Sequence, residues 1–161
     1  MATGDSLLIL DPLSNRPPTA NFATVDLRGL FVVLDFDDTT DEVAQFHSIV
    51  PSHYSGGDLI AIFTWTTTTA TSGSAKIKCE ITRLAAGENL DAVPGPDGSE
   101  EVTIAAPTTS GDLVVDETDP ITVGNLGSGE TLLVSVTRLA TDAGDTLVGD
   151  VELVSLELRE D

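Results

Sequence analysis

Asp35, Asp37, Thr39 and Asp41 stand at every second position of the run DFDDTTDE, residues 35–42, the densest group of carboxylates in the chain. Oxygen-bearing side chains at that spacing supply the early ligands of a calcium loop, which makes Asp35, Asp37 and Asp41 the candidate metal ligands. The central glycine of such a loop is missing, and Phe46 occupies the place of its closing bidentate acid. A solvated acidic turn therefore describes the run better. Paired acids for glycoside hydrolysis could be drawn from the same cluster, but Phe, Tyr and Trp make up only 4% of the chain and leave little to stack a sugar ring.

Other chemistries lack their partners. His47 and His53 flank Pro51 with no acid or cysteine at ligand spacing, and they read as polar surface residues. The chain has no G-x-S-x-G, no H-E-x-x-H and no phosphate-cradling glycine motif. Cys79, the single cysteine, sits between Ile77 and Ile81 in an alternating stretch and reads as a buried structural thiol. The sequence is that of a non-enzymatic protein with no cofactor, and it supplies no machinery for a small-molecule substrate.

Charge narrows the partners further. With 27 acidic residues against 7 Lys and Arg, the formal net charge is -20, which repels nucleic-acid backbones and anionic lipid alike. No apolar run approaches the ~20 residues of a membrane helix. The cluster Leu7, Leu8, Ile9, Leu10 is too short for a signal-peptide core, lacks a basic lead and runs into Asp11-Pro12, so the chain is not marked for export.

The elements that would position these residues are strands. Residues 54–65, YSGGDLIAIFTW, pass from a Gly56-Gly57 turn into a run that is apolar on both faces and ends at the only tryptophan, the pattern of a strand covered on both sides. Residues 66–73, TTTTATSG, then read as a loop or frayed hairpin tip. Residues 75–84 alternate cleanly between an apolar and a polar face. Further strands are expected at 30–36, 42–50, 101–105, 113–115, 121–123, 132–139 and 151–158, with a long Gly- and Pro-rich loop over 85–99. The repeated fragments ITRLA (81–85) and VTRLA (136–140) mark two equivalent strand ends.

Such a set describes an all-β domain, a jelly-roll β-sandwich, with an immunoglobulin-like sandwich as the alternative. The sandwich is expected over residues 29–161. Residues 1–28, interrupted by Pro12, Pro17 and Pro18, read as an extended N-terminal arm in which only Leu7 to Leu10 can form a strand. That strand could cap its own sandwich or add to a neighbouring subunit.

Four fragments in order resemble a family of tailed-bacteriophage structural proteins that decorate or cement the capsid. They are Asn15-Arg16-Pro17-Pro18 leading to Asp26-Leu27-Arg28; Leu34-Asp35-Phe36-Asp37-Asp38; Pro51-Ser52-His53-Tyr54-Ser55-Gly56-Gly57 before the strand ending at Trp65; and Arg138 through Gly149-Asp150 to Leu156-Glu157-Leu158-Arg159-Glu160. Residues 86–125 match least. The resemblance implies a jelly roll on the outer surface of the virion, bound to the major capsid protein, without catalysis and as a trimer. On that reading Leu7, Leu8, Ile9, Leu10 and Arg16 are the capsid contacts, and Lys76, Lys78, Arg83 and Arg138 are candidates for pairing across a homo-trimer. The competing expectation is a carbohydrate-binding β-sandwich module on a tail or fibre, with Trp65 and Tyr54 as sugar platforms and the acidic loop holding calcium.

Overall fold

The computed structural model describes residues 4–161. Ten strands are formed among them: β1 Ser6–Leu10, β2 Thr24–Arg28, β3 Phe31–Phe36, β4 Glu42–Ile49, β5 Leu59–Thr67, β6 Ser74–Leu84, β7 Gly98–Ala105, β8 Val114–Glu117, β9 Thr131–Arg138 and β10 Val151–Glu160. One sheet runs β2-β3-β10-β5-β8, with β1 also paired to β10, and the other runs β4-β9-β6-β7. Every strand pairing is antiparallel. The connections β3 to β4, β4 to β5, β5 to β6, β7 to β8, β8 to β9 and β9 to β10 all pass from one sheet to the other. That is jelly-roll winding, and it sets the immunoglobulin-like alternative aside.

The core lies between the sheets. Phe36, Phe63, Trp65 and Leu156 of the first sheet meet Phe46, Ile77, Ile81 and Val134 of the second, all buried. β5 lies between β10 and β8 and is buried on both faces, as its unbroken apolar run requires. Cys79 lies in this core, and burial pushes its thiol up to about 12, which keeps it protonated and unreactive.

Three expectations need correction. Residues 66–73 are not all loop, because β5 continues through Thr66 and Thr67, whose β-branched side chains suit a pleated, buried position. Residues 121–123 form no strand; Ile121 makes only an isolated bridge to Leu59 between Pro120 and Gly124. Nor is the N-terminal segment an extended arm. β1 pairs with β10, Leu8 opposite Leu158 and Leu10 opposite Leu156, while β2 pairs along the whole of β3. Between them, Arg16 N donates to Gln45 O and Ala23 N to Val43 O, so the segment crosses the side of the sandwich. Docking on its own chain satisfies the backbone of β1 and buries Leu10, so this is the placement that the apolar strand takes. Residues 1–3 of the expected arm lie outside the described residues.

Candidate functional site

Direct pairing places Thr24, Asp35, Glu152 and Thr66 in one row across β2, β3, β10 and β5. Their chain neighbours Leu34, Phe36, Val151, Leu153 and Trp65 point into the core, so this row faces away from it. The same outward face carries Val33 and Phe31. Here lies a cavity of about 200 Å³, lined by Arg28, Phe31, Val33, Thr66, Gly111, Leu113 and Val154.

Each wall has a local cause. The hairpin joining β2 to β3 turns through Gly29 and Leu30, where Gly29 takes the positive φ (+61°) that a tight two-residue turn demands, and Arg28 and Phe31 end up paired at its base. A register shift in β10 between Leu153 and Ser155 inserts Val154, which lines the cavity while Leu153 and Leu156 stay in the core. Gly111 brings the segment before β8 over the site. Its φ is +91°, a backbone conformation that residues with side chains rarely adopt, and an added Cβ would stand 3.0 Å from Arg28 Nη2, so glycine suits this close approach.

The polar groups are few and fixed. Arg28 Nη1 donates to Glu152 Oε2 at 3.2 Å, to Glu152 Oε1 at 3.3 Å and to Thr68 O at 3.1 Å. Glu152 is buried, and this pairing is what compensates its charge. Asp35 and Thr66 differ, because Asp35 Oδ1 and Thr66 Oγ1 are buried without a hydrogen-bond partner among the described residues. Burial, reinforced by the charges of Asp150, Glu152, Asp26 and Glu42, pushes the Asp35 carboxyl up to about 6. Phe31 is 67% exposed at the rim, an open aromatic face beside these groups.

The residues singled out in the sequence are distributed elsewhere. Asp35, Asp37 and Asp41 do not converge. Asp35 joins the outward row, and Asp41 accepts from Thr141 N and Oγ1. Asp37 Oδ1 accepts from Thr39 N, Thr39 Oγ1 and Thr40 N, and the Thr39 bonds hold its carboxyl below the usual carboxylate range. Asp37 instead gathers with Asp38 and Asp150, each offering an oxygen within 4.8 Å of the others. Three carboxylates fall short of the roughly six to eight oxygens calcium takes, and Asp38 is already engaged by Gly149 N.

Trp65 is no sugar platform, since it is fully buried with its Nε1 donating to Asp116 Oδ2 at 2.8 Å. Tyr54 is half-buried, and its hydroxyl donates to Gly57 O, bracing the glycine turn. His47 and His53 are exposed, as expected.

The four basic residues proposed for a subunit contact all have partners in their own chain: Lys76 with Glu101 and Asp142, Lys78 with Glu80, Arg83 with Glu130, and Arg138 with Asp145. Arg138 is wholly buried and also donates to the carbonyls of Phe36, Leu147 and Gly149, which removes it from any contact between subunits. Arg83 and Arg138 sit on the strands β6 and β9, which pair antiparallel, so the repeated TRL fragments close opposite ends of the sandwich.

The outward row escaped sequence reasoning because strands 30–36 and 59–67 look apolar throughout, and nothing local says which half faces the core. The usable signal was Asp35, a lone acid inside LFVVLDF that must lie on the face away from Leu34 and Phe36.

No protein-family model and no curated protein matches this sequence. Solved structures do share the fold. The CBM36-1 domain of a multidomain xylanase from the hindgut metagenome of Trinervitermes trinervoides superposes with a TM-score of 0.55 at 9% identity, covering 96% of this chain and 97% of that one. The CBM22-1 xylan-binding domain of Paenibacillus barcinonensis Xyn10C gives 0.52 at 11% identity, with 99% and 97% covered. The K3 cleaved adhesin domain of Lys-gingipain from Porphyromonas gingivalis gives 0.52 at 9% identity, with 97% and 100% covered. This chain shares a jelly-roll β-sandwich with these domains. At these identities the likeness is one of fold.

Proposed function

We propose that the protein is a non-catalytic carbohydrate-binding β-sandwich module whose site is the cavity on the outward face of the first sheet. The observation that carries this is the exposed ring of Phe31 standing over a small apolar cavity beside the fixed side chains of Arg28 and Thr66. An aromatic face takes the C–H side of a sugar ring, and a few converging polar groups set its orientation. The shared fold with the xylan-binding domain supports the reading without assigning a sugar.

Capsid decoration, with a major capsid protein as partner and a place on the virion, rests on the order of four sequence fragments. Its anchoring device was the free arm, and β1 and β2 are paired within their own sheet. The carbohydrate reading is therefore the better supported of the two.

Affinity electrophoresis through gels containing soluble xylan, arabinan, galactan or mixed-linkage glucan tests it. The wild-type protein should be retarded in at least one gel, and Phe31→Ala should run as in the sugar-free control. Free migration of the wild-type protein in all of them overturns the proposal.

A further inference from the structure

Thr66 is the anomaly of this face. It is 1% exposed, it lines the cavity, and its hydroxyl has no partner among the described residues. Valine has nearly the same shape, an equal preference for strands and no polar atom to leave unpaired, so stability alone would favour valine at this position. A buried polar group kept without a partner is explained when a ligand supplies one.

The size and charge of the site limit that ligand. About 200 Å³ is below the ~300–1,000 Å³ of pockets that enclose drug-sized molecules, so there is room for one ring and not for a stretch of chain. Carboxylates outnumber cations around it. Glu152 and Asp35 lie in the row with Thr66, Asp26 is paired to Val33 on the same face, and Asp112 adjoins Gly111. Arg28 is the one cation lining the cavity, and its Nη1 is committed to Glu152 and Thr68 O.

Resting on the carbohydrate-binding reading, we infer that the cavity takes a single uncharged sugar ring at the end of a chain, selected by a hydrogen bond to the Thr66 hydroxyl, and turns away anionic sugars. Phe31 covers one face of the ring, Val33 and Val154 form apolar walls, and the neighbouring carboxylates repel a uronate.

The test uses the intact protein and the polysaccharide that retards it, with free monosaccharides as competitors. Xylose, arabinose, galactose or glucose should release the protein, and glucuronate should be at least about tenfold weaker than the best of them. Thr66→Val should melt at a higher temperature than wild type yet bind about five- to tenfold more weakly, the scale of one neutral hydrogen bond. Thr66→Ser, which keeps the hydroxyl, should restore most of the affinity, and it serves if the valine variant misfolds.

Retardation that no monosaccharide relieves overturns the single-ring inference and leaves carbohydrate binding standing. Competition by glucuronate equal to that of the neutral sugars, or a Thr66→Val protein with undiminished affinity, also overturns the inference. Absence of binding to every polysaccharide removes the underlying reading itself.

Discussion

Asp35 and Glu152 stand directly opposite one another on β3 and β10, two carboxylates on the same face of adjacent strands. Like charges so placed repel, and only Glu152 has a cation, Arg28, to offset it. Burial first, then the charges of Asp150 and Glu152, makes Asp35 hold its proton to about pH 6.

The sign of the consequence follows by linkage. Asp35 titrates at about 6 in the fold against 3.8 as an ordinary side chain, so the folded state holds the extra proton between those values. Its contribution to stability is fully present below about pH 3.8 and is lost as pH rises through 6. Asp35→Asn, a mimic of the protonated acid, should therefore match wild type in urea unfolding near pH 3.5 and exceed it at pH 7. Parallel stability curves across that range would show that Asp35 does not titrate abnormally.

Arg138 and Asp145 form the buried pair at one end of the core, with Nε to Oδ2 and Nη2 to Oδ1 both at 3.0 Å. Removing either partner strands the other charge in a site with almost no solvent contact, a loss of about 3–5 kcal/mol. Arg138→Ala should lower the unfolding free energy obtained from urea titration by that amount. The double variant with Asp145→Ala should cost clearly less than the sum of the singles, because it leaves no lone charge. Additive losses would mean the two residues act independently.

Trp65, buried with its indole N–H bonded to Asp116, should emit as a buried tryptophan and resist iodide. Sugar that retards the protein in gels should leave this emission unchanged, since Trp65 faces the core and the cavity lies on the opposite face. Ready quenching by iodide, or a spectral shift on sugar binding, would contradict the placement of the site.

Gly111 bears on the site through Arg28. Gly111→Ala forces a side chain onto a backbone at φ +91° and within 3.0 Å of Arg28 Nη2, so the loop or the guanidinium must move. A stability loss of about 1 kcal/mol or more is expected, together with weakened retardation in polysaccharide gels. A variant with wild-type stability and binding would show that the loop does not close the cavity.

What could be read from the chain, and what could not, divides along a physical line. The alternation Ala75, Ile77, Cys79, Ile81 and the two-sided run ending at Trp65 announced β6 and β5, because burial patterns are local. The 42–50 strand, though weakly patterned, is β4. β2 carried no such signal. Its Val25 and Leu27 are exposed, and what holds TVDLR in the sheet is pairing with β3 rather than its own burial. The site was less legible still. Thr66 lay in a threonine tract that resembled a loop, and Arg138 looked like a surface cation because its partner, Asp145, sits in a turn that sequence cannot place. Glu152 became meaningful only when β10 set it between Asp35 and Thr66.

The location of the proposed sugar site is the central claim, and backbone amide chemical-shift mapping tests it most directly. On titration with short neutral oligosaccharides, the account predicts that the largest changes fall on Phe31, Val33, Thr66, Gly111 and Leu113, and that they vanish in Phe31→Ala. Changes centred on the 35–42 acidic loop, on Tyr54 or on the loop over 85–97, with the outward face of β3 and β5 unmoved, would contradict it.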